Sequence, residues 1–182
     1  MKKLVLVIMV VCGLLAFGPQ AYALNITPVT TPQWYGNETG QSAIDSAIAS
    51  IISPAVELYK QDVGNNENPG VESGSLAGSY ETQFFNAPFD PADATITWVG
   101  PYVIGDPKYL LVKDGSQEPA WYLFNLTSLW NGTDTLYLTG FWPAQGAISH
   151  VSLYGTTSVP EPMTLLLLGL GLVGLAGLRR KF

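Results

Sequence analysis

His150 is the only histidine in the 182-residue chain, so a Ser-His-Asp relay has no other base to run through. It falls within an alternating stretch, Ser149 to Tyr154, and reads as a strand histidine with a satisfied hydrogen bond rather than a catalytic base. Ser75 sits in Gly74-Ser75-Leu76-Ala77-Gly78, which is not a Gly-x-Ser-x-Gly elbow. Cys12 is the only cysteine and lies in an apolar leader, which leaves the rest without a disulfide, a thiolate metal site or a Cys nucleophile. Val11 before it is a poor fit to a lipidation site. Carboxylate pairs such as Glu72 with Glu118 could serve glycosidase chemistry, but any acidic domain offers such pairs and sequence sets no distance between them. Asp90, Asp93, Asp106, Asp114 and Asp134 fall in or near loops, where calcium ligation and plain turn chemistry compete as explanations. No catalytic residue, metal or cofactor is assigned, and the body reads as non-enzymatic.

Aromatic residues carry the strongest signal. Trp34, Trp98, Trp121, Trp130 and Trp142 all follow the leader, with most tyrosines beside them. Such rings stack on the apolar C–H faces of sugars when exposed, and fill the core of a small β domain when buried. Trp130, beside a turn, and Trp142, before Pro143 in a loop-like stretch, are the candidates for sugar contact. Asn-x-Thr triplets at Asn25, Asn37, Asn125 and Asn131 are what a β protein rich in Gly, Asn and Thr produces by chance.

Charge narrows the partners. From Leu24 to Pro160, three lysines face thirteen acids, a net charge of −10, against −6 for the whole chain. A field of that sign repels phosphate backbones and excludes nucleic-acid binding.

The two ends are unlike the middle. Lys2 and Lys3, an apolar run over residues 4–17 and Ala21-Tyr22-Ala23 have the order of a secretory leader, with signal peptidase cutting after Ala23. Near the other end stands Val159-Pro160-Glu161-Pro162. An uncharged Leu/Gly-rich stretch over 163–178 follows, then Arg179, Arg180, Lys181 and Phe182. Sixteen helical residues reach about 24 Å, short of the roughly 30 Å hydrocarbon core, yet snorkelling cations and local thinning permit one pass. The basic stop should stay cytoplasmic, which places the body outside the inner membrane. Two prolines hold Glu161 extended and out of any helix.

This order of Pro-Glu-Pro, glycine-rich apolar helix and basic end resembles the PEP-CTERM sorting signal. Phrases such as SYETQFFN, YLLVKDG and GFWPAQGAISHVSLYG look like the body of a small exported β-rich subgroup. The resemblance implies recognition by an exosortase-type membrane protease or transpeptidase, in a Gram-negative bacterium that makes exopolysaccharide and forms biofilm or floc. It implies a route: an inner-membrane-anchored precursor with a periplasmic ectodomain, then the cell surface or the extracellular matrix. It assigns no activity to the body, for which a matrix protein and a carbohydrate-binding module are the two readings.

The elements that would position these residues are mostly strands. Residues 1–23 are the leader, and 24–41 a loosely ordered lead-in rich in Thr, Pro, Asn and Gly. Residues 42–157 hold one amphipathic helix and a β body, and 158–182 the sorting signal. Ile44, Ile48, Ile51 and Ile52 recur at helical spacing, with Ser42 and Asp45 as a capping box and Pro54 as the stop. Strands are expected over 56–61, 80–85, 94–99, 109–113, 121–126, 135–139 and 148–154, from their Val, Ile, Thr and aromatic content between Gly, Pro, Asn and Asp. The stretch from Gly64 to Gly78 reads as a mobile loop. The fold class is mainly β, an antiparallel sandwich or jelly roll with one N-terminal helix, a signal peptide and a C-terminal transmembrane helix.

Overall fold

A computed structural model describes residues 23–29, 33–64, 70–86, 89–114, 117–143 and 146–158. The expected signal peptide apart from Ala23, residues 159–162, the expected tail helix and the basic end therefore lie outside the described residues. Among the described residues no helix is long and apolar enough to cross a membrane.

The strands are β1 (Ala23–Ile26), β2 (Gln33–Gly36), β3 (Val56–Asp62), β4 (Glu72–Ser73) and β5 (Tyr80–Phe85). After them come β6 (Asp93–Trp98), β7 (Val103–Asp114), β8 (Trp121–Asn125), β9 (Thr135–Leu138) and β10 (Ile148–Ser158), with helix α1 (Gln41–Ile52) between β2 and β3. One sheet has the order β1-β9-β6-β5, the other β2-β8-β7-β10-β3-β4. The mainly β, largely antiparallel expectation holds, with one exception. β1 runs parallel to β9, pairing Leu24 with Leu136 and Ile26 with Leu138.

Side-chain alternation builds the layers. Successive strand residues point to opposite faces, so a strand covered on both sides must be apolar at every position. β7 shows this: Leu110 and Val112 join the core between the sheets, while Leu111 faces the other way. In β8, Phe124 packs into the same core, with Tyr122 against it, whereas Trp121 and Leu123 face outward. In β10, Val151 and Leu153 point in and Tyr154 points out. Ile44, Ile48 and Ile52 of α1 cover the outward set, which is why the helix repeats isoleucine every four residues. The inner core draws Ile26, Tyr80, Ala94, Ile96, Leu136 and Leu138 from the smaller sheet, so both sheets enclose one hydrophobic cluster.

Buried tyrosines pin the sheets to each other. Tyr80 donates its hydroxyl to the Gly132 carbonyl at 2.8 Å and accepts the Ile104 N–H at 2.9 Å. Its ring lies 5.7 Å from Tyr59 and 6.0 Å from Trp130. Tyr59 hydrogen-bonds Thr82 across the layers at 2.7 Å. Burial pushes both phenols up to about 12, so they stay neutral at physiological pH.

Four sequence expectations need correction. The lead-in contains β1 and β2, each an edge strand paired along its whole length. The Gly64–Gly78 stretch is in part ordered. Glu72 and Ser73 pair with Gln61 and Lys60, and Leu76 is buried in the core. α1 has Gly40 at its N-cap with no side-chain cap, while Ser42 lies inside the helix, so the capping box does not form. β7 and β10 run longer than expected, to twelve and eleven residues, because each holds residues that sequence reads as breakers. Pro107 lies within β7 between paired segments, and β10 shifts register between Tyr154 and Thr156. Gly155 sits at that shift, where a Cβ would meet Ile104 Cγ2 and the Gly105 carbonyl.

Two substitutions test this packing. Tyr80→Phe leaves a buried carbonyl and a buried N–H without their partner and should lower unfolding free energy by about 1–3 kcal/mol. Gly155→Ala should cost about 1–3 kcal/mol through forced backbone shifts. Both are read by urea unfolding, and stability unchanged by either would contradict the contact assigned to it.

Candidate functional site

Ala21, Val159, Pro160, Glu161, Pro162, Arg179, Arg180 and Lys181 lie outside the described residues. Ala23 opens β1, and Leu24–Ile26 keep their pairing with β9 if the chain is cut after Ala23. At the other end β10 closes at Ser158, whose backbone partner is Val103.

The tryptophans divide. Trp130 is 4% exposed, packs on Tyr80 and donates its indole N–H to the Asp134 carbonyl at 2.7 Å. It is a core residue with no free ring face. Trp121 is also buried, under α1, its N–H held by Glu38 Oε2 at 3.0 Å. Trp98 is half-buried, and Trp34 is exposed on edge strand β2 beside Tyr109.

Trp142 differs from the others because, although largely buried, it forms part of a cleft of about 830 Å³. Segments after β1 and β9 and the turn before β8 meet there: Thr27–Val29, Thr139–Pro143 and Gln117–Pro119. Tyr122 of β8 adds its ring, 5.4 Å from that of Trp142. The Trp142 N–H donates to the Pro119 carbonyl at 2.8 Å, which fixes the indole between the two segments. Its backbone lies at φ +48°, a left-handed conformation that costs a bulky residue on the order of 1–3 kcal/mol. Three prolines, Pro28, Pro119 and Pro143, supply apolar surface without an N–H to satisfy. Burial, and then the neighbouring Tyr35, push the Tyr122 hydroxyl up, so it is a neutral donor.

Sequence reasoning found Trp142 but missed Tyr35 and Tyr122, which are cross-strand partners on β2 and β8. The alternation Trp121-Tyr122-Leu123-Phe124 signals a strand buried on both faces, but does not show that β2 leaves part of one face open.

Three of the acids, Glu72, Asp93 and Asp114, serve turns. Asp114 accepts the N–H groups of Gln117 and Ala147, tying together the loops at one end of β7 and β10. Asp93 accepts the Gly140 N–H at 2.7 Å. Glu72 accepts the Gly78 N–H, while Glu118 stands at the cleft. Asn125 and Asn131 each accept the N–H two residues on, from Thr127 and Thr133, so these Asn-x-Thr triplets are Asx turns. Among the described residues no three His, Cys, Asp or Glu side chains gather as a metal site would need.

His150 is buried on β10, its Nδ1 3.8 Å from Asp62, with Lys60 and Lys113 nearby. Its Nε2 has no partner among the described residues, so the satisfied hydrogen bond expected from sequence does not form. Burial, then the two lysines, push its pKa down to about 3. A base that weak takes up no proton at neutral pH. The Ser152 hydroxyl, on the same strand face, is fully buried as well.

The folded protein therefore keeps His150 neutral to about pH 3, while the unfolded chain protonates near 6.5. Below that point the unfolded state binds the extra proton, so this contribution to stability falls as pH falls. The loss is about 1.4 kcal/mol per unit between the two values. From pH 7 to 4.5 the native protein should lose about 2–3 kcal/mol more than His150→Gln in urea unfolding. Equal losses would contradict a neutral, buried imidazole.

Comparison with the curated proteins and with the solved structures finds no match. Residues 158–181 do match the family model of the PEP-CTERM protein-sorting motif. The match begins at Ser158, where β10 ends. The chain thus carries a PEP-CTERM sorting motif joined directly to its folded body, which implies sorting through an exosortase system.

Proposed function

We propose that this is a non-enzymatic envelope or matrix protein: a β domain exported by its leader, held as an inner-membrane-anchored precursor with a periplasmic ectodomain, then passed to the cell surface or matrix. Signal peptidase and an exosortase-type protease or transpeptidase are its processing partners, and exopolysaccharide is its destination. The observation that carries this is the sorting motif at 158–181, together with the leader composition of residues 1–23. A body with its one histidine pushed far below neutrality and with Asp93 and Asp114 engaged in turns fits a structural task. A second reading, a carbohydrate-binding module on the same route, is favoured by the aromatic and proline cleft.

The test follows the full-length chain in a Gram-negative host with and without an exosortase. Mass spectrometry should find the mature chain starting at Leu24 and, only with the enzyme, a shortened C-terminus. Replacing Pro160, Glu161 and Pro162 by alanine should abolish that shortening and leave the protein in the membrane fraction. Unaltered processing of the triple variant, or an uncut cytosolic chain, would overturn the reading.

A further inference from the structure

We infer that the cleft between Tyr122 and Trp142 binds an uncharged glycan chain that continues over Tyr35. This rests on the carbohydrate-binding reading and deepens it by fixing the place and the ligand class.

The volume, about 830 Å³, lies within the range of sites that enclose small ligands. Its surfaces are rings and prolines, which lose little conformational freedom when a ligand arrives and expose few polar groups. Apolar walls alone would suit many ligands. Here Thr27, Thr139, Gln117 and Glu118 add hydroxyl, amide and carboxylate groups to the same cleft. Flat apolar faces with polar groups beside them match a pyranose, which has C–H faces and a hydroxyl edge.

Charge selects among glycans. No Lys, Arg or His is among the residues that form the cleft, and one of them is Glu118. The described stretches that line it, 27–29, 117–119 and 139–143, contain no basic residue. The lysines of the body are engaged elsewhere: Lys60 with Asp62, Lys108 with Asp106, and Lys113 with the Asp114 carbonyl. With a net −10 across the body, a uronate or sulfated chain is repelled. A neutral chain has no such penalty.

The length of the ligand follows from β2. Tyr35 pairs directly with Tyr122 across the β2–β8 ladder, so both side chains share a face. Tyr35 is 68% exposed, and the aromatic surface therefore runs from the cleft onto the open sheet edge. A second sugar ring can lie there, which a monosaccharide would leave unused.

The test uses the full-length protein in a detergent without a sugar headgroup. Binding of cellohexaose, laminarihexaose and mannohexaose is compared with that of alginate and polygalacturonate by calorimetry at low salt. At least one neutral hexamer should bind and the anionic chains should not. Tyr35→Ala, on an exposed edge, should weaken hexamer binding about tenfold and disaccharide binding far less. Trp142→Phe, which keeps an apolar ring but loses the N–H bond to Pro119, should weaken both. Preferential anionic binding, neutral binding indifferent to both variants, or binding of a proline-rich peptide with none of the glycans would each overturn the inference. Absence of all glycan binding, in a protein still processed and retained in the matrix, would sink the cleft alone. Failure of processing would sink the export reading whatever the calorimetry shows.

Discussion

The paired strands β7 and β10 are the constraint on which the rest of the structure depends. Nine residue pairs join them, from Ile148 with Asp114 to Ser158 with Val103. Both strands are central in the larger sheet and covered on both sides over part of their length. One face closes the core against the smaller sheet, and the other seats α1. Such strands cannot slip by one residue without exchanging two apolar sets for each other's surroundings. The register in turn places Asp114 and Ala147 side by side, and their hydrogen bond gathers the loops next to the cleft. The same ladder delivers the chain to Ser158, the first residue of the sorting motif.

Burial also sets the state of titratable groups in the larger sheet. At one end of the larger sheet Lys113 and His150 are buried, with the more exposed Lys60 and Asp62 beside them. Burial lowers the pKa of Lys113 as it does that of His150. Both shifts disfavour the charged form of the side chain. The aromatic cleft lies among the loops around Trp142 rather than in this charged cluster.

Much of the fold was legible in the sequence because strand alternation is a local signal. All seven expected strands appear, β5 over the very residues 80–85, and the isoleucine spacing found α1. What failed had non-local causes. β1 and β2 are four residues each, too short for a pattern, and exist because β9 and β8 offer them open edges. Leu76 looked like part of a glycine-rich loop, yet its N–H bonds to the Leu58 carbonyl and its side chain fills the core. The site shows the same division. Trp142 stood out by type, but Trp130 beside its turn gave no hint that Tyr80 would bury it. Tyr35 and Tyr122, 87 positions apart, become neighbours only through sheet pairing. The sorting motif was legible from residue order alone, Val159-Pro160-Glu161-Pro162 followed by an apolar stretch and a basic end.

The described body is thus built on one long antiparallel ladder that ends where the sorting motif begins. Native-state hydrogen exchange, resolved by peptide mass spectrometry, tests that scaffold most directly. Amides of Leu110–Val112 and Val151–Leu153 should exchange only through global unfolding, at rates set by the full unfolding free energy, and α1 should open earlier. Exchange of those amides as fast as that of α1, or of the turns around Asn131, would contradict the ladder's role.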